Sequence, residues 1–244
     1  MTHVLTAHHR GVTTLTLDSP ANRNALSAGL VAELADALER CAGAPDVRAV
    51  VLTHTGSTFS AGADLKAPPS PYTFVALLRR IVELPKPVVA RVTGHVRAGG
   101  LGLLGACDLA VASKDSDFAF TEVRIGVAPA VISLPLLPRL APRAAARHYL
   151  TGEVFGAADA RELGLLTEAA ADVDGAVEAL LGAFRRASPQ GLAETKRLLT
   201  GSVLAAFDRD AEELVQRSAS LFASAEAREG MAAFVERRDP AWVL

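Results

Sequence analysis

The stretch that most constrains what this chain can fold into is Arg91 to Ser113, RVTGHVRAGGLGLLGACDLAVAS. A β-rich run ending near Thr93 leads through Gly94 to Ala98 into a small-residue helix that opens at Gly99-Gly100, and a second apolar run, Asp108 to Ala112, follows it. The first N–H groups of a helix have no partner within it. They face outward with the positive end of the helix dipole and favour negative charge developing in front of them. Gly99, Gly100, Gly102 and Gly105 let a ligand come close, and they equally let a buried helix pack tightly against a sheet. A second stretch has to decide between the two.

Taken in order, Val12 to Asp18 is a β-branched run ended by Ser19-Pro20, and Ser27 caps a helix on which Leu30, Leu34, Leu38 and Cys41 recur at helical spacing. Arg48 to Thr53 is a buried strand, His54 to Asp64 an irregular loop, Tyr72 to Leu84 a helix, and Val88 to Val92 the strand that enters the central stretch. Phe118 to Glu122 is a short alternating segment. Ile132 to Leu140 and Arg143 to Leu150 are helical, Ala157 to Leu163 is a short helix closed by Gly164, and Leu165 to Ala169 a short strand. From Asp174 the strands stop: Asp174 to Ala187, Pro189 to Leu199, Val203 to Ala223 and Glu226 to Arg237 read as successive helices. The expected organisation is an α/β body over residues 1–185 and an all-helical region over 186–244.

Charge excludes some functions. With 25 basic and 27 acidic residues and no run of like charge, neither a nucleic-acid footprint nor a polybasic membrane anchor is present. Cys41 and Cys107 lie in apolar helical contexts, which favours reduced core thiols and a cytoplasmic compartment. The opening MTHVLTAHHRG has no signal-type apolar core, and no segment has the apolar length of a membrane span. The six histidines show no metal-ligand spacing, so no metal is expected.

The loop Phe59 to Lys66, FSAGADLK, is the deciding stretch. It follows a buried strand and carries a glycine that permits a sharp bend, so a backbone N–H near Ala63 can point into a pocket. With the helix start at Gly99 it makes two convergent donors, the arrangement a thioester carbonyl needs when it becomes an enolate. FSAGADLK, GHVRAGGLGLLGACDLAVA and FAFTEVRIGVAPA together resemble the crotonase superfamily of enoyl-CoA hydratases and isomerases, over nearly the whole chain. The resemblance implies a spiral of ββα units with a C-terminal helical trimerisation region, a homotrimer or a hexamer built as a dimer of trimers. It implies an acyl-CoA thioester as substrate, with no cofactor beyond the CoA that belongs to the substrate.

Residue by residue, the resemblance puts the two oxyanion donors on Ala63 and Gly99. Asn24, Ala25, Ala61, Asp64 and Lys66 fall on segments that line the CoA moiety, and Phe234 and Arg237 match terminal positions that reach a neighbouring subunit's CoA. Family hydratases typically carry two glutamates. Here the later one matches Glu122, while the helix position is Gly102, which has no proton to give or take. Glu122 stands among Phe118, Phe120, Val123 and Ile125, where burial raises a carboxyl pKa toward a useful range. A subset of the family with G-x-G-L on the helix and a T-E-V-R-type segment after it includes hydratases of branched or carboxylated enoyl-CoA esters. A hydratase is therefore the expectation and a Δ3-Δ2-enoyl-CoA isomerase the alternative, with a non-catalytic acyl-CoA-binding protein behind them. Gly100 to Gly105 also matches G-x-G-x-x-G, but the glycines follow the strand only after Gly94 to Ala98, the wrong context for a dinucleotide site. Pocket walls are expected from Pro68 to Leu78, Val131 to Leu137 and the last helices, and Arg97 either meets a substrate carboxylate or pairs with a nearby acid.

Overall fold

The computed structural model describes residues 2–244. It opens with a hairpin of β1 (Val4–His9) and β2 (Val12–Leu17), turned at Arg10-Gly11 with φ of 48° and 76°. Two positive φ angles match the right-handed twist of the paired strands. The helix α1 (Ala28–Gly43) follows, with the Ser27 hydroxyl accepting from the Leu30 N–H as the expected cap.

Three pairs of strands then repeat one pattern. They are β3 (Ala49–His54) with β4 (Thr58–Ser60), followed by α2 (Pro71–Glu83); β5 (Val88–Val92) with β6 (His95–Arg97), followed by α3 (Gly99–Ala106); and β7 (Leu109–Ser113) with β8 (Asp117–Ala119), followed by a 3-10 turn, Thr121–Ile125. The first strand of each pair joins a six-stranded sheet, ordered β1-β2-β3-β5-β7-β10, and the second joins a four-stranded sheet, ordered β4-β6-β8-β9. The chain thus spirals, and the short second strands stack the loops that follow them. Beyond the turn lie α4 (Ser133–Leu136), α5 (Pro142–Thr151), β9 (Phe155–Gly156), α6 (Ala157–Leu163) and β10 (Glu168–Ala170).

Helices close the chain: α7 (Val173–Arg186), α8 (Pro189–Phe222) and α9 (Ala225–Glu236). The large sheet is covered on both faces, which is why its central strands carry apolar residues on either side. Leu15, Leu17, Val50, Leu52 and Val88 face the main core with α1, α2 and α3, while Val12, Val51, Val89 and Val111 face α7. The helix α3 has no exposed side: Gly100 to Ala106 are all buried.

Three expectations need correction. The helices expected over Pro189–Leu199 and Val203–Ala223 are one helix of 34 residues. Thr200 returns its hydroxyl to the Lys196 carbonyl at 2.9 Å, and Gly201 lies on the exposed face, so neither breaks it. The segment ending at Glu122 leaves the sheet at Ala119, and Glu122 sits in the 3-10 turn. Finally, β1, β4, β6 and β9 were not anticipated.

Candidate active site

Sheet register assembles the site. Arg97 of β6 pairs with Ala119 of β8, and the Ala98 N–H donates to the Ala119 carbonyl at 3.1 Å, so the turn carrying Glu122 is tied beside the start of α3. On the other side, Gly62 takes φ of 93°, and a β-carbon there would fall 2.9 Å from Ala98 Cβ and 3.5 Å from the Gly99 nitrogen. Loop and helix start therefore touch, and the close approach requires glycine.

Both expected donors are free. Leu26 donates to the Gly62 carbonyl at 2.7 Å and accepts from the Asp64 N–H at 3.1 Å, which clamps Ala63 from either side and turns its own N–H the other way. Neither the Ala63 nor the Gly99 N–H has a hydrogen-bond acceptor among the described residues. Ala98, just before Gly99, is held at φ 46°, ψ −121°, a region that alanine rarely adopts. A β-carbon on Gly99 would meet Leu26 at 3.0 Å and Phe74 at 3.6 Å, so these two side chains pack against the start of α3.

Glu122 is 7% exposed, and its Oε2 has no partner among the described residues. Burial pushes its carboxyl up to about 7, with no charged neighbour contributing. Position 102 is not an empty slot: a β-carbon on Gly102 would lie 2.6 Å from Ile132 Cγ2 and 3.5 Å from Leu78. Ile132 fills the place where a second carboxylate would enter.

The remaining expected residues divide. Ala25 and Ala61 are half-buried on adjoining loops, linked by the bond from the Ala61 N–H to the Arg23 carbonyl, with Asp64 beside them and Lys66 exposed at the rim. Asn24 requires correction. It is fully buried at φ 52°, its Oδ1 accepts from the Ser19 N–H at 2.7 Å, and its Nδ2 donates to the Thr55 and Thr58 carbonyls. The Asn24 side chain braces the loop and has nothing left for a ligand. Arg97 ion-pairs with Asp117 at 2.7 Å and donates to the Asp117 and Val96 carbonyls, so it is structural. Phe234 and Arg237 belong to none of these loops; they project from the exposed end of α9. Phe74, Leu78 and Ile132 fall within the expected wall segments. Behind Phe120, the Tyr149 ring lies at 4.3 Å, and its hydroxyl accepts from Ser133 at 3.4 Å. No spacing in the α5 sequence separates it from an ordinary core aromatic.

Fold and site define a class, a spiral α/β protein in which a loop bend and the start of a buried helix meet beside one buried carboxylate. The chain belongs to the enoyl-CoA hydratase/isomerase family, whose model matches residues 7–243. It is similar to the crystal structure of an enoyl-CoA hydratase from Mycobacterium avium, with a TM-score of 0.93, 55% identity and 99% of each chain covered. The fold is thus the crotonase fold. A mevalonyl-coenzyme A hydratase of Aspergillus fumigatus is 33% identical over 243 residues, covering 93% of this chain and 90% of that one. A 4-chlorobenzoyl coenzyme A dehalogenase of Arthrobacter is 33% identical over 186 residues, 70% of this chain and 67% of that one.

Proposed function

We propose that the protein hydrates a 2-enoyl-CoA thioester using Glu122 as its one acid/base carboxylate. The Ala63 and Gly99 N–H groups bind the thioester oxygen. Glu122 takes a proton from water as the hydroxyl adds to C3, the resulting enolate is held by the two donors, and Glu122 returns the proton to C2. One carboxylate thus completes the addition. The observation that carries this reading is the orphaned, buried Glu122 oxygen beside two unpartnered N–H groups. The CoA moiety lies along Ala25, Ala61, Asp64 and Lys66, and Phe234 and Arg237 act toward a neighbouring copy.

The test is incorporation of oxygen from labelled water into short, branched and carboxylated 2-enoyl-CoA esters. Wild type incorporates it, and Glu122→Gln loses turnover by about a hundredfold or more while binding acetoacetyl-CoA within a few fold. Conversion of 3-enoyl to 2-enoyl esters with no label uptake from any of these substrates would replace hydratase by isomerase.

A further inference from the structure

No side chain aims the Glu122 carboxyl. Its Oε2 is buried without a partner among the described residues, and the polar groups on the elements packed around the turn are engaged elsewhere or turned outward. Arg124 of the same turn reaches the Thr151 carbonyl, Arg147 and His148 approach Glu153, Tyr149 meets Ser133, and Glu226 is exposed on α9. A carboxyl with no side-chain partner keeps its place only as well as the backbone beneath it does. Whatever fixes the turn Thr121–Ile125 therefore fixes the base.

From within, the Glu122 carbonyl accepts from the Gly126 N–H and from the Val127 N–H, the latter at 3.1 Å, and Gly126 closes the turn at φ 77°. From outside, α9 meets the turn with main chain alone. A β-carbon on Gly230 would lie 2.5 to 2.6 Å from the carbonyl carbon, the Cα and the oxygen of Ile125. One on Gly126 would lie 2.7 to 2.9 Å from the backbone of Glu226 and Ala227. Two glycines facing in opposite directions thus leave helix and turn in direct backbone contact, with no side chain between them that could change rotamer to absorb a shift. Ala227 and Ala233, three residues to either side of Gly230, are also buried, so this face of α9 is pressed on the body along its length.

We propose that Gly230 is a positioning residue of the active site: the bare backbone of α9 at Gly230, seated on the turn at Ile125 and Gly126, sets where the Glu122 carboxyl stands relative to the Ala63 and Gly99 donors. A methyl group at position 230 has only backbone to meet, so it moves the turn or the helix. Proton transfer requires hydrogen-bond reach, and a displacement of about an ångström at the base is enough to slow it strongly. The role rests on Glu122 as the acid/base carboxylate, and it holds for hydration and isomerisation alike.

The experiment compares proton transfer with binding. Gly230→Ala should lower kcat about ten- to hundredfold, while affinity for acetoacetyl-CoA, which needs only the two backbone donors, stays within about threefold of wild type. Deuterium exchange at C2 of butyryl-CoA in heavy water should fall in the same proportion as kcat, because both use Glu122. The rising limb of kcat/KM against pH should move from about 7 toward the ordinary carboxyl value of 4.5, since a displaced turn admits water to the carboxyl. A smaller folded fraction would lower the amplitude without moving that limb. Glu229→Ala removes the bonds from α9 to Arg238 and to the Ala241 N–H but leaves Gly230 in place, so it should lower the melting temperature with kcat and the limb unchanged. Should Gly230→Ala fold poorly, Gly126→Ala makes the same intrusion from the side of the turn and is read in the same way. Gly230→Ala with wild-type kcat and limb, or with kcat and affinity lowered equally, would overturn the positioning role, as would Glu229→Ala that moves the limb as far. Glu122→Gln with undiminished turnover would overturn the reading of Glu122 and this role together.

Discussion

Position 102 carries a glycine because Ile132 already occupies the space above it, so the pair has to be read as one unit. Gly102→Glu alone drives a side chain into Ile132 and adds a charge to a buried face. We expect a loss of about 1–3 kcal/mol or more, a lower melting temperature, and no gain in crotonyl-CoA hydration. Adding Ile132→Gly should recover part of the melting temperature. Glu122 makes an opposite prediction. Its carboxyl is raised from 4.5 to about 7 on folding, so between those values the native state holds the proton more tightly than the unfolded chain, and stability falls as pH rises through that window. The full penalty, about 3 kcal/mol, is reached above pH 7 or so. Glu122→Gln should therefore melt higher than wild type at pH 8, and the difference should vanish near pH 4.5. For hydration, where the ionised form is the base, kcat/KM should rise with pH through about 7. The sequence motifs single out Glu122, Ala63 and Gly99 as candidates, because each depends on local backbone and composition. They could not reveal Ile132 over Gly102, since that contact joins segments whose side-chain directions are set only by packing.

Among the elements, α8 shows how the helical region is joined to the body. Lys196 is buried, forms an ion pair with Asp108 at 2.8 Å, and donates to the Ile81 and Lys86 carbonyls at 2.9 and 3.1 Å. Asp108 accepts from the Val88 N–H as well, so one lysine ties α8 to α2, to the start of β5 and to the end of α3. Lys196→Met leaves that carboxylate without its partner and should cost about 3–5 kcal/mol in denaturant unfolding, whereas Lys196→Met with Asp108→Asn should cost less. At the other end, α9 lies directly on the turn that carries Glu122. A β-carbon on Gly230 would be 2.5 Å from the Ile125 backbone, and one on Gly126 2.7 Å from that of Glu226. The long elements were legible from their periodicity. Of the second strands of the spiral, β8 overlaps the alternating segment read from the sequence, whereas β4 and β6 do not stand out, because three residues each are too few for an alternation to register.

For the whole molecule, the apolar surface left by the fold points to further assembly. Val203 and Phe207 of α8 enter the core, but Leu198 and Leu199 stay 84% and 74% exposed, and Phe234 and Val235 lie open on α9. Surfaces of this kind meet a partner, and we propose a trimer or a dimer of trimers. Sedimentation at micromolar concentration should report one of these; a monomer would overturn the proposal and with it the shared role of Phe234 and Arg237. No helix among the described residues is long and apolar enough to cross a membrane.

The backbone at Ala98 carries a consequence for timing. Its unfavourable φ and ψ are imposed by the contact with Gly62 on one side and the bond to Ala119 on the other, so the Gly99 N–H is aimed before any ligand arrives. A receptor already set in its binding posture has no rearrangement to wait for. In a stopped-flow record, acetoacetyl-CoA should associate in a single exponential whose rate climbs linearly with concentration, without the plateau that marks a slow conformational step. Ala98→Gly, which relaxes that posture, should bring the plateau into view.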